Sequence, residues 1–145
     1  MAAELRERKE MDPAFMWDLT SLYRDDEDWE AAFSQLSDKV DVVAAFDGKI
    51  AQTDNDGAAA AHCIRALLEA ETELDLLLSD LFAYANLRRS EDTRAPQAQK
   101  MYARIYAKYV EAVTRTAFVQ PQILSLSEQT LRSAVEKTNL RLTAL

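Results

Sequence analysis

The chain reads as an all-α protein, an antiparallel bundle of about four main helices. Gly (2) and Pro (3) are scarce among its 145 residues, and turns and sheet connections consume both. Ala, Leu, Glu, Gln, Arg and Lys, all good helix formers, dominate the composition. Apolar residues recur at three- and four-residue steps over long windows, the spacing of a helical face. The linkers between these windows are short, which makes successive helices antiparallel. The length suits one domain with a real core better than two. The expected organisation is a mobile N-terminal arm over 1–12 and a helical domain over 13–145.

The arm is charged on both sides of Leu5. Pro13 to Tyr23 follows with Phe15, Met16, Trp17, Leu19, Leu22 and Tyr23, an irregular segment stable only in a groove or across one end of a bundle. The first helix is predicted from Asp26. The run Asp25-Asp26-Glu27-Asp28 invites a metal-site reading, but acids also gather where a helix dipole is positive. Trp29, Phe33, Leu36, Val40 and Val43 make one stripe, with Gly48 as a stop.

Lys49 to Gly57 is a linker. A second helix is expected from Ala58 to about Arg89, with Ile64, Leu67, Leu68, Leu74, Leu78 and Leu81 inward and Leu76 and Leu77 widening that face. A turn over Ser90 to Ala95 leads to a third helix, capped by Thr93, with Pro96 harmless in the first turn. Its stripe is Met101, Ile105, Tyr109, Ala112 and Thr116, extended by Tyr102, Tyr106 and Val113, and Phe118, Val119 and Pro121 are expected to end it. Ser127 caps a fourth helix to about Thr138, with Leu131 and Val135 inward. Asn139 to Leu145 carries no stop signal and reads as a cut within a longer protein.

A net charge of −8 disfavours general nucleic-acid binding, which needs a basic face. The sequence contains no apolar run of about 18 residues to span a membrane and no apolar signal core at its N-terminus. One cysteine, Cys63, excludes an internal disulfide framework. A cytoplasmic location is the expectation.

Counting limits the chemistry. His62 is the only histidine, whereas H-E-x-x-H zinc binding needs two. One cysteine cannot make a Cys₄ or Cys₂His₂ site. No catalytic or metal residue is therefore expected in this chain. His62 and Cys63 are adjacent, but helix neighbours point about 100° apart and do not face each other. Glu69, Glu71, Glu73, Asp75 and Asp80 fit the wet side of an amphipathic helix. Lys100, Arg104 and Lys108, four residues apart, form a like-charged row. That row reads either as a solvated face balanced by acids elsewhere or as a wall touching peptide carboxylates or a further lobe. Asn86, Arg88, Asp92 and Thr93 form a polar helix junction, structural in role, where Arg88 can pair with Asp92.

Several blocks, taken in order, resemble the N-terminal domain of the oligoendopeptidase F family, zinc metallopeptidases related to thimet oligopeptidases. They are Met16-Trp17-Asp18-Leu19 with Leu22-Tyr23, Asp28-Trp29, Phe46-Asp47-Gly48-Lys49-Ile50, Tyr84-Ala85-Asn86-Leu87, Glu91-Asp92-Thr93, and Pro121-Gln122-Ile123-Leu124 with Leu126. The resemblance implies an N-terminal lobe walling the substrate channel of a two-lobed helical enzyme that cuts short peptides. It implies zinc in a catalytic domain this chain lacks, that domain as a partner, oligopeptides as substrates, and an exposed flank through which the fragment self-associates. The competing reading is a non-catalytic helical scaffold that docks a protein partner.

Overall fold

A computed structural model describes residues 11, 12, 14 and 17–138. Residues 1–10, where the mobile arm is expected, with Pro13, Phe15, Met16 and residues 139–145, lie outside the described residues. Among the described residues there is no strand. The helices are α1 (Asp26–Ser34), α2 (Leu36–Ala44), α3 (Gly57–Glu91), α4 (Pro96–Thr116), α5 (Val119–Leu124) and α6 (Glu128–Thr138), with a 3₁₀ turn at Ala51–Thr53. The all-α class holds. The second, third and fourth predicted helices correspond to α3, α4 and α6.

The predicted first helix is instead two. Gln35 N–H reaches back three residues to Ala32 O at 3.1 Å, a tightened turn that ends α1. The apolar spacing passes through this break, since Trp29, Leu36, Val40 and Val43 are all buried. Periodicity alone therefore conceals it. α4 ends at Thr116, ahead of Phe118, Val119 and Pro121 as expected, but the proline is not the cause. Pro121 lies in the first turn of α5, where its missing N–H costs no helical hydrogen bond.

Local chemistry sets the helix starts. The Asp25 side chain accepts from Glu27 N and Asp28 N, and Asp56 accepts from Ala58 N and Ala59 N at the start of α3. Ser127 Oγ accepts from Thr130 N at the start of α6. These side-chain oxygens satisfy N–H groups that a helix start leaves without intrahelical partners. Gly48 takes φ 77°, a left-handed conformation that glycine adopts without a Cβ penalty.

The described residues divide into two compact units, one of residues up to Leu36 with Leu76–Val110, the other of Ser37–Asp75 with the residues from Glu111 on. Both α3 and α4 contribute a stretch to each. In the first unit α1 runs antiparallel to α3, so that Trp29 meets Leu81 while Asp26 meets Tyr84 and Arg88. Likewise α3 runs antiparallel to α4, with Arg89 on Tyr102 and Phe82 against Tyr109. Trp29 is fully enclosed with Leu36, Leu81, Met101 and Ile105. Its indole N–H donates to Leu81 O at 2.9 Å, and its ring stacks on Phe33 at 4.9 Å.

In the second unit Val40, Val43, Ile50, Leu67 and Leu74 form the core. The segment before α3 is fastened to α6 by Asp54, whose Oδ1 accepts from Ser127 N, Ser127 Oγ and Thr130 Oγ1. Those bonds favour the carboxylate and lower its pKa, the backbone bond from Ser127 first. They also turn α6 away from its expected face. Thr130 and Ala134 are buried, whereas Val135 is 41% exposed and Leu131 half-buried.

α3 and α6 approach closely at Gly57. A Cβ there would lie 2.3 Å from Ser133 Oγ and 2.5 Å from Ser133 Cβ. We predict that Gly57→Ala destabilises the chain by about 1–3 kcal/mol, because the steric cost exceeds the helix propensity gained. Adding Ser133→Gly should restore most of the loss in urea unfolding. A neutral Gly57→Ala would disprove the close approach.

Candidate functional site

The polar cluster at the end of α3 joins that helix to the start of α1. Asp26 accepts from Tyr84 Oη at 2.9 Å and from Arg88 through Nε at 3.1 Å and Nη2 at 3.0 Å. Arg88 therefore does not pair with Asp92, as the sequence suggested. Besides Asp26 it reaches Glu91, one turn along α3, at 3.6 Å, while Asp92 binds the N–H and side chain of Arg94. Asn86 is half-buried and offers its carbonyl to Ser90 Oγ. Thr93 supplies a carbonyl to the Gln99 side chain rather than a cap, because α4 begins only at Pro96.

Tyr84 is buried. Burial first, and then the bond to Asp26, push its phenol up to about 12. The Arg88 guanidinium is held still more firmly protonated, chiefly by its bonds to Asp26. Beside the cluster opens a cleft of ≈ 600 Å³ that includes Trp17, Asp18, Asp25 and Asp26. These acids already have work. Asp18 binds Thr20, Asp25 caps α1, and Asp26 holds Arg88.

The basic row on α4 is divided among different environments. Arg104 is a partner of α1, clasping Glu30 with both terminal nitrogens and lying 4.3 Å from the Phe33 ring centroid. Lys100 is exposed and Lys108 half-buried. In the second unit Arg115, further along α4, pairs with Asp41 on α2. Acids of α1 and α2 thus meet cations of α4 inside this chain.

The remaining candidates are ordinary surface. Among the acids of α3, Glu73 pairs with Lys39, and burial, then Asp75, raise the Glu71 carboxyl. His62 is exposed and Cys63 half-buried. Burial pushes the thiol up, against a smaller opposing pull from Lys49, so the thiolate is disfavoured. Among the described residues no three His, Cys, Asp or Glu side chains are grouped to hold a metal ion. The zinc that the family resemblance implies therefore has no fitting donor set in them.

One feature escaped sequence reasoning. Tyr109 and its flanking Tyr106 were expected to face inward, but both stand about half exposed. Met101, Ile105 and Ala112 fill the core side of α4, and the tyrosines fall beyond its edge. The signal was available: the apolar arc of α4 is wider than one helix neighbour can cover.

Comparison with known proteins gives the chain relatives of one kind. It is 25% identical over 87% of its length to the group B oligopeptidase PepB of Streptococcus agalactiae. It is 28% identical over 97% of its length to the oligopeptidase PepF of Bacillus subtilis. It is 25% identical over 86% of its length to the plasmid oligoendopeptidase F of Lactococcus lactis subsp. cremoris. The chain spans about a fifth of the length of these relatives. No protein-family model and no solved structure gives a significant match. The resemblance to oligoendopeptidase F read from the ordered blocks thus extends along nearly the whole chain. No described helix is long and apolar enough to cross a membrane.

Proposed function

We propose that this chain, a homologue of one segment of the oligoendopeptidase F peptidases, is an N-terminal lobe that helps to enclose short peptides while a separate catalytic part cuts them. The observation that carries this reading is the match itself, which covers 86–97% of this chain but only about a fifth of each relative. The single histidine agrees with it, because zinc-dependent hydrolysis of the H-E-x-x-H kind needs donors this segment does not have. Zinc and a cytoplasmic site of action belong to the same reading. The lobe contributes walls and orientation, which control the entry of peptides rather than the bond-breaking step.

The test is a replacement. The corresponding segment of the Bacillus subtilis relative is exchanged for this chain and the hybrid is assayed on oligopeptides. We expect hydrolysis well above that of a hybrid carrying an unrelated helical bundle. A folded hybrid no better than that control would sink the proposal.

A further inference from the structure

We infer that the outer face of α4 in the first unit binds a short peptide through a carboxylate held by Arg89 and apolar side chains laid along Tyr102, Tyr106 and Tyr109. The inference rests on the peptide-handling reading above and assigns it a surface. Tyr106, Tyr109 and Val110 are 53%, 48% and 48% exposed, side by side at helical spacing. The shelf is braced from α3. Phe82 meets Tyr102 edge-on at 5.3 Å and Tyr109 at 6.2 Å, and the Tyr102 and Tyr106 rings lie 6.4 Å apart, tilted by only 22°. Rigid, half-exposed tyrosines offer apolar faces at low entropic cost and hydroxyls for a backbone.

Arg89 supplies the polarity. Its guanidinium carbon lies 3.7 Å from the Tyr102 ring centroid, and among the described residues no carboxylate pairs with it. A guanidinium over a ring still has N–H groups to offer, in the fork that matches a carboxylate. From Pro96 to Val110, α4 contains Lys100, Arg104 and Lys108 and no acid, within a chain of net charge −8. Arg104 of that stretch is already bonded to Glu30, so the charge this face offers an anionic occupant is that of Arg89. It disfavours a second copy packing through the same face, since that stretch of α4 has no acid to return to Arg89. The rise from Tyr102 to Val110 is about 12 Å, room for about three or four extended residues.

The test uses the purified chain labelled with fluorotyrosine, read by fluorine NMR. It has five tyrosines, and single Tyr→Phe variants assign them. The probes are N-acetyl-Phe-Leu-Gln with a free C-terminal carboxylate, the same peptide amidated, and amidated N-acetyl-Phe-Leu-Glu. The three separate a terminal carboxylate from a side-chain one. We expect Tyr106 and Tyr109 to shift saturably while Tyr23 and Tyr84 do not. At least one carboxylate probe should bind about fivefold or more tightly than the neutral amide. Arg89→Gln should erase that preference, and Tyr106→Ala should weaken every probe. The inference is overturned if Tyr106 and Tyr109 do not shift at millimolar peptide or if the neutral amide binds as well. It is also overturned if the shifts follow protein concentration alone, which would assign the face to a second copy. Hydrolysis by the hybrid enzyme without these shifts removes this inference and leaves the lobe reading standing; shifts without hydrolysis do the reverse.

Discussion

Trp29→Ala lowers the stability of the chain by about 3–5 kcal/mol, the range for emptying a buried aromatic site. Trp29 is fully enclosed, so its removal leaves a void that its neighbours can only partly fill. It also removes the N–H bond to Leu81 O and the stacking surface of Phe33. Arg104 would lose one of its two aromatic partners, since its guanidinium lies 5.6 Å from the Trp29 ring and 4.3 Å from that of Phe33. Urea unfolding followed by circular dichroism should show a lower midpoint, and the thermal midpoint should fall by about 10 °C. A loss under about 1 kcal/mol would mean that Trp29 does not organise the first unit.

The second largest effect is expected at Asp26. Asp26→Ala should cost about 2–3 kcal/mol, because it leaves the buried Tyr84 hydroxyl without its acceptor and the Arg88 guanidinium with the longer contact to Glu91. The Asp26 and Arg88 side chains are 30% and 27% exposed, so water recovers part of the loss and keeps it below that of Trp29→Ala. In a double-mutant cycle, Asp26→Ala with Arg88→Leu should cost less than the sum of the two singles. Strict additivity would show that the pair does not act as a unit.

The same cluster makes stability depend on alkaline pH. The Tyr84 phenol is raised from 10.0 to about 12, so the folded chain holds this proton more tightly than the unfolded one. Its contribution is fully present below pH 10 and is lost as pH rises through the folded value. Stability should therefore decline between about pH 10 and 12. In Asp26→Ala that decline should shrink but persist, because burial, the larger cause, remains. Absorbance titration should show Tyr84 ionising at lower pH in that variant than in the parent chain. An unmoved Tyr84 would separate it from Asp26.

The legible parts of this structure were local ones. Acids at Asp25–Asp28, Ser127 before α6 and Pro96 at the start of α4 each act within one helical turn, and each was read where it operates. The break at Gln35 was not legible, because it leaves the inward spacing of Trp29, Leu36, Val40 and Val43 intact. Arg88 was matched to Asp92 because a single sequence displays near neighbours, whereas its partner Asp26 stands 62 residues away. The α4 face was legible in content but not in direction. Its arc could be seen to be wide, but which edge met α3 and which stayed open depended on contacts that no periodicity records.

Several bonds that lock this protein join distant parts of the chain: Trp29 to Leu81 over 52 residues, Glu30 to Arg104 over 74, and Asp54 to Thr130 over 76. Helices form in about a microsecond or less, but none of these closures can occur until its far partner exists. At ribosomal rates of about 5–20 residues per second, α1 must wait several seconds for α4 to emerge. Through that interval Trp29 and its stripe have no lid, so the nascent chain is most vulnerable to aggregation between the emergence of α1 and that of α4.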